Sequence, residues 1–307
     1  MAALAKSICF GSQVEPYVND ESMHRLSRRL SLNFKRGIRM KKQLAAILAC
    51  LLTLTLALGA HAQDLKKIKL GVEGAYPPFS EVGIDGKLKG FDIDIANALC
   101  EQMKVDCSMV QQDFDGMIPS LNARKIDAII ASMSITEERR KSVEFSDKYY
   151  HTPARLIVKA GSNLTISAEG LKGKRIGVQR TTTNDRFATA TFTQSEIVRY
   201  GKQDEAFLDM GAGRLDAALV DSVAASAGFL KTPGGKGFVF AGPVYFDPKY
   251  FGFGAGIAVR KSDTELRDRF NQAITAIRAN GVYKKIQDKY FDFDVYGGAP
   301  LPATLKK

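Results

Sequence analysis

From residue 67 onward the apolar and polar positions alternate between short strands and amphipathic helices. Lys67-Ile68-Lys69-Leu70-Gly71-Val72 alternates with period two and predicts a strand. Residues 73–79 follow at its carboxyl end, where Pro77 and Pro78 exclude a helix. Asp85-Gly86 marks a turn. Phe91 to Met103 carries Phe91, Ile95, Ala98, Leu99 and Met103 at helical spacing. A strand over 107–110, a turn at Phe114 into a short helix ending near Ala123, and a buried strand over 127–131 come next. The polar stretch 132–140 reads as the start of a helix.

The second half repeats this style. Strands are predicted over 174–178, 197–200 and 214–220, and helices over 185–190, 203–212 and 223–230. Gly256-Ile257-Ala258-Val259 is one more strand, and two closing helices, 263–280 and 282–290, are separated by Gly281. Alternating β and α elements predict doubly wound sheets, whose ligands sit outside the carboxyl ends of the strands. Loops 73–79, 113–116 and 131–139 then converge on one place. Arg124-Lys125-Ile126-Asp127-Ala128-Ile129-Ile130 and Gly213-Arg214-Leu215-Asp216-Ala217-Ala218-Leu219 look like one motif placed in two lobes. Two such lobes facing each other make a cleft. The helical tail cannot form a lobe of its own and must pack back on one already built.

The start of the chain has a different pattern. Met40-Lys41-Lys42 precedes an apolar run from Leu44 to Ala60, closed by Ala60-His61-Ala62. This predicts a signal peptide over 40–62 cleaved after Ala62, with the mature protein in the periplasm. A membrane anchor or lipidation at Cys50 fits less well, because the run is short and Cys50 lies in its middle. Residues 1–39 have no apolar periodicity and read as a mis-assigned extension upstream of a true start at Met40.

Composition then changes little. The formal charge of +11 first reads as a nucleic-acid signal. Nine of the 44 Lys/Arg and three of the 33 Asp/Glu fall in residues 1–62, which leaves 35 against 30 and no dense basic run. No nucleic-acid partner is expected. Of four cysteines, Cys9 and Cys50 are removed with the N-terminus. Cys100 and Cys107 end a helix and begin a strand, and in an oxidising compartment they are expected to form a disulfide. No His-rich or further Cys cluster points to a metal, and no cofactor is expected.

Ser132-Met133-Ser134-Ile135-Thr136-Glu137-Glu138-Arg139-Arg140 offers the sharpest chemistry. Ser134 and Glu137 have capping-box spacing. A cation at Arg139, in the positive first turn of a helix, makes sense if a carboxylate docks there and meets free N–H groups, the dipole and a guanidinium together. The plainer alternative is a capped surface helix with a solvated arginine.

Gly90-Phe91-Asp92-Ile93-Asp94-Ile95-Ala96-Asn97-Ala98-Leu99 resembles the signature of family 3 of the bacterial extracellular solute-binding proteins. Residues 132–139 resemble that family's amino-acid-carboxylate site. Asp221-Ser222-Val223-Ala224-Ala225-Ser226-Ala227-Gly228-Phe229 and the segment 289–297 are similar to its lysine/arginine/ornithine and histidine binding branch. The resemblance runs from about Ile68 to residue 298. It implies an α/β type II periplasmic binding protein fold, two doubly wound lobes joined by two crossover strands. Residues 63–151 and 252–307 would form lobe 1 and 152–251 lobe 2, with hinges near 151–154 and 246–251.

The resemblance further implies an ABC-importer substrate-binding protein, monomeric, that carries arginine, lysine, ornithine or histidine to an inner-membrane permease. By position, Arg139 would hold the α-carboxylate with Ser134 and Thr183, and Asp221 the α-ammonium. Tyr76 and Phe114 would sandwich the side chain. Glu73, Ser132, Gln179 and Thr182 would lie near its far end. The chemistry agrees: a planar, permanently charged guanidinium suits a carboxylate, a carboxylate suits an ammonium, and aromatic faces cover an aliphatic stem and attract a cation. Two departures touch specificity. The position of Glu73 is commonly Asp in the basic branch, and that of Ala131 commonly Ser.

The rival reading is an exported cyclohexadienyl (prephenate/arogenate) dehydratase on the same fold, with Glu73 as general acid. Its weakness is that His151 is the only histidine after Ala62. A transglycosylase or a fused sensor domain would need segments for which the sequence offers no candidate.

Overall fold

A computed structural model describes residues 67–297. The expected signal peptide, its cleavage after Ala62 and the extension over 1–39 lie outside the described residues. The chain begins with β1 (Lys67–Val72) and a small antiparallel sheet of β2 (Ala75–Tyr76), β3 (Ser80–Val82) and β4 (Leu88–Lys89). Helix α1 (Phe91–Met103) leads to β5 (Asp106–Gln111), α2 (Met117–Asn122) to β6 (Ala128–Ile129), and the single turn α3 (Glu137–Arg140) to β7 (Val143–Tyr150). Then follow β8 (Ala154–Lys159), β9 (Arg175–Gln179), α4 (Thr183–Thr191), β10 (Glu196–Tyr200), α5 (Gln203–Gly211), β11 (Ala217–Asp221) and α6 (Ser222–Ala225). Strand β12 (Phe238–Tyr245), α7 (Pro248–Phe251), β13 (Ala255–Arg260), α8 (Thr264–Ala279) and α9 (Val282–Tyr290) complete the order.

Two five-stranded sheets carry the fold, in the orders β5-β1-β6-β13-β7 and β10-β9-β11-β8-β12. In the first, β1 runs parallel to β5 and β6, while β13 is antiparallel to β6 and β7. In the second, β9 runs parallel to β10 and β11, while β8 is antiparallel to β11 and β12. Both faces of each sheet are covered, so central strands are apolar on both sides. In the first lobe Ile68, Leu70 and Val72 pack with Phe91, Ile95 and Leu99 of α1 and with Phe270, Ile274 and Ile277 of α8. Met117, Leu121, Ile129 and Phe145 fill the opposite face. In the second lobe Leu156, Ile176 and Val178 meet Phe187, while Ile157 and Val220 meet Phe207 and Met210. The chain passes from the first sheet to the second between Tyr150 and Ala154 and returns between Tyr245 and Ala255.

The repeated motif has the same role in both lobes. The Lys69 amide donates to Asp127 Oδ2 at 3.0 Å, and the Asp127 amide returns a bond to the Lys69 carbonyl at 2.8 Å. In the second lobe the Arg175 amide donates to Asp216 Oδ2 at 2.8 Å, and the Asp216 amide returns to the Arg175 carbonyl at 2.9 Å. Each aspartate thus aligns its strand beside a parallel neighbour, β1 in the first lobe and β9 in the second. The tail packs back as expected: β13 inserts into the first sheet, and α8 and α9 lie against α1.

Several elements differ from the sequence expectation. The edge strands β7 and β12, together with β8, are not expected from the pattern. Strand β12 is half solvated and carries Gly242-Pro243, and β7 sets charged residues among buried ones, which blurs their periodicity. The helix expected after 132 is only the four residues of α3, and Ser134 does not cap it. Thr136 does, its Oγ1 accepting from the Arg139 amide at 3.3 Å, while Ser134 instead bridges to Ala255. The helix expected over 223–230 is α6 followed by a wide π turn over Ser226–Leu230. Cys100 and Cys107 are joined, tying α1 to edge strand β5.

Candidate functional site

One cavity between the two sheets is lined by all ten residues singled out as ligand contacts. The carboxyl end of β1 delivers Glu73, 4% exposed. Its Oε1 accepts from Gln179 Nε2, at the end of β9, and the same Gln179 amide reaches the Gly201 carbonyl at 3.2 Å. Burial pushes the Glu73 carboxyl up to about 7, against the lowering effect of the Gln179 bond.

Tyr76 of β2 stacks on Phe79 at 5.8 Å between ring centroids, and Phe79 in turn stacks on Tyr150 at 4.5 Å. Phe114 opens a 3₁₀ turn after β5 and holds its ring 5.2 Å from the Arg139 guanidinium carbon. Arg139 is 8% exposed. It donates to the Ser134 carbonyl at 3.0 Å and, across the cleft, to the Thr181 carbonyl at 3.2 Å. Burial and then the Arg186 charge pull its pKa down, which marks a desolvated cation; an arginine nonetheless stays charged.

The second lobe supplies the start of α4. Thr182 caps it, accepting from the Asp185 amide at 3.2 Å while donating to the Gln179 carbonyl at 2.7 Å. Thr183 follows at the first helical position, where a backbone N–H has no intrahelical partner. Asp221 ends β11 and caps α6: Oδ1 accepts from the Val223 and Ala224 amides at 2.8 and 3.0 Å, and Oδ2 accepts from Thr152 Oγ1. Burial raises its pKa to about 6 despite these bonds.

Ser132 stands three residues past β6 with φ of 53°, a left-handed conformation rare outside glycine. Its Oγ donates to Asp92 Oδ2 at 2.9 Å, and its amide donates to the Tyr149 hydroxyl at 3.1 Å. Asp92, Tyr149 and Thr152 support the wall and were not singled out from the sequence. Asp92 left one signal: it shares the first turn of α1 with Phe91 and lies on the buried side of an amphipathic helix. His151 and Ala131 also line the cavity. Burial lowers the His151 pKa to about 4, so it is neutral at ordinary pH.

The lobes also meet outside the cavity. Arg180 pairs with Asp115 at 2.6 Å, and Arg186 pairs with Glu138. In each case the base comes from the second lobe and the acid from the first.

This arrangement has known counterparts. The model of bacterial extracellular solute-binding proteins, family 3, matches residues 68–293. The chain belongs to this family. The L-arginine-binding protein of Pseudomonas aeruginosa is 56% identical over 260 residues, covering 84% of this chain and 99% of that protein. The lysine/arginine/ornithine-binding periplasmic protein of Escherichia coli is 46% identical over 260 residues, covering 84% and 100%. Among solved structures, a Salmonella typhimurium periplasmic binding protein of high arginine specificity superposes with a TM-score of 0.69 at 35% identity, covering 74% of this chain and 99% of that one. As a family 3 member the chain has the type II periplasmic binding protein fold, and its relatives are binding proteins of the periplasm.

Proposed function

We propose that this protein binds a cationic L-amino acid, arginine, lysine, ornithine or histidine, in the interlobe cavity and delivers it to the inner-membrane permease of an ABC importer. The observation that carries this reading is a match of charges. A cationic amino acid brings one anion and two cations. The cavity presents one buried cation, Arg139, and two desolvated carboxylates, Asp221 and Glu73. Arg139, with Ser134 and the N–H groups at Thr183, takes the α-carboxylate, and Asp221 takes the α-ammonium. Tyr76 and Phe114 flank the stem. Glu73, Ser132, Gln179 and Thr182 surround the far end. The arginine, lysine, ornithine and histidine ligands named for the relatives support the same class.

Binding at such a site draws the lobes together, as in hinge-closing receptors. Residues 63–151 with 252–307 act as one body and 152–251 as the other, turning about the crossings near 151–154 and 246–251. The protein works as a monomer, is exported to the periplasm after cleavage behind Ala62, and is a carrier rather than an enzyme. A few charge-assisted contacts of ~1.5–3 kcal/mol each are enough for micromolar affinity or better.

The deciding experiment is calorimetric titration of unfolded-and-refolded mature protein with the twenty amino acids, ornithine and citrulline. Saturable binding of at least one cationic amino acid, with neutral ones much weaker, is the expected result. No binding of any cationic amino acid rejects the reading, and turnover of prephenate rejects its non-enzymatic part.

A further inference from the structure

Asp92 does not touch the cavity, yet it governs a residue that does. Its side chain is fully enclosed at 0% exposure, and both oxygens accept hydroxyl protons: Oδ2 from Ser132 Oγ and Oδ1 from the Tyr149 hydroxyl, each at 2.9 Å. The Tyr149 hydroxyl accepts in turn from the Ser132 amide. Ser132 is thus gripped by its hydroxyl and its amide, which holds it in the left-handed conformation that a residue with a Cβ resists. A serine hydroxyl has one proton to give and two lone pairs to offer. Here the proton points away from the cavity.

We propose that Asp92 is a positioning residue that sets ligand specificity through Ser132. By taking the only hydroxyl proton of Ser132, it leaves that oxygen to face the ligand as an acceptor. Ser132 then takes the N–H groups of a cationic side chain and cannot donate to a carbonyl oxygen in their place. This rests on the proposed cationic ligand and on Ser132 lying at its far end.

Position supports the pairing. The Asp92 charge contributes to raising the Glu73 pKa, and Glu73 and Ser132 line the same cavity. Ser132 lies three residues past β6, in the loop that leads to α3. Burial raises the Asp92 pKa to about 7, and the bonds from Ser132 and Tyr149 oppose that rise by favouring the ionised, accepting form. Such a device discriminates a guanidinium from a urea of the same shape, because the urea replaces one donor by a carbonyl oxygen.

The test compares arginine with citrulline by calorimetry on the wild type, Asp92→Asn, Ser132→Ala and the double variant. Thermal unfolding is recorded alongside as a check of folding. Wild type is expected to prefer arginine. Asp92→Asn is expected to shrink the arginine-to-citrulline affinity ratio at least tenfold, because an amide can donate to Ser132 and turn its proton toward the ligand. In the Ser132→Ala background, Asp92→Asn is expected to change the ratio no further. A ratio unchanged in Asp92→Asn overturns the proposal, as does an equal shift with and without the Ser132 hydroxyl, which would make Asp92 a bare distant charge. Ser132→Ala keeps the Tyr149 bond to Asp92, so it reads the relay even if Asp92→Asn does not fold; an unchanged ratio there overturns the proposal too. A wild type that binds no cationic amino acid overturns the functional reading itself, whereas a wild type that prefers arginine with an insensitive Asp92→Asn overturns only the relay.

Discussion

Gln179 Nε2 donates to Glu73 Oε1 at 2.5 Å, and the two residues occupy matching places in the two lobes. Glu73 lies four residues past Lys69, and Gln179 four residues past Arg175; Lys69 and Arg175 are the partners of Asp127 and Asp216 in the repeated motif. A second shared offset relates Ser132 to Asp221, each five residues past its aspartate. The cleft is therefore built from equivalent strand ends of two lobes placed face to face. The chemistry has diverged: one pair is an acid bonded to an amide, whereas in the other Ser132 bonds Asp92 and Asp221 bonds Thr152.

The Glu73 pKa predicts how stability follows pH. In the folded protein it is raised from 4.5 to about 7, chiefly by burial. Between those values the folded state keeps a proton that the unfolded state has lost, so stability from this group falls as pH rises through that window. Glu73→Gln removes the slope. Without ligand, the variant is expected to gain up to ~3 kcal/mol on wild type at pH 8 and nothing at pH 4. Denaturant unfolding at both pH values reads the difference. At pH 8 the same variant is expected to bind cationic amino acids at least tenfold more weakly.

Arg139→Ala is expected to abolish measurable binding. Two charge-assisted bonds at ~1.5–3 kcal/mol each correspond to a loss of roughly 100-fold or more. The fold should survive, because the bonds lost inside the protein are those to the Ser134 and Thr181 carbonyls. Arg139→Lys keeps charge but not the planar fork, and should recover only part of the affinity. Titration with arginine and far-ultraviolet circular dichroism check both statements; retained affinity in Arg139→Ala would sink the central role of this residue.

The ion pairs Arg180–Asp115 and Arg186–Glu138 bridge the lobes outside the cavity. Their side chains are substantially exposed, so each is worth only ~0.2–1 kcal/mol. Asp115→Asn is expected to raise the ligand dissociation rate by about two- to fivefold at low salt, and by less at high salt. Stopped-flow displacement measures both.

The Cys100–Cys107 bond closes a short loop at the edge of the first sheet, away from the cavity. Chain-entropy arguments put its contribution at about 2–3 kcal/mol. Replacing both cysteines by serine should lower the Tm by several degrees and leave the Kd unchanged. A shifted Kd would show that α1 transmits strain to the site.

Local pattern determined much of this protein. Period-two and period-3.6 repeats placed β1, α1, the strands β9 to β11 and the closing helices, since those elements are buried on a regular face. The Asp127 and Asp216 motifs announced two lobes and a cleft between them, and charged and aromatic residues at strand ends located its wall. Tertiary structure decided the rest. Strands β7 and β12 hold their places by pairing at sheet edges, where buried and charged residues mix with no clear period. Thr136 rather than Ser134 caps α3, because Ser134 is drawn into a bridge with Ala255, more than a hundred residues away. Asp92 acquires its role only when Tyr149 and Ser132 arrive from two other elements to use up both its oxygens. A hydrogen bond between distant segments depends on where a proton points in space, and no residue spacing along the chain records that direction.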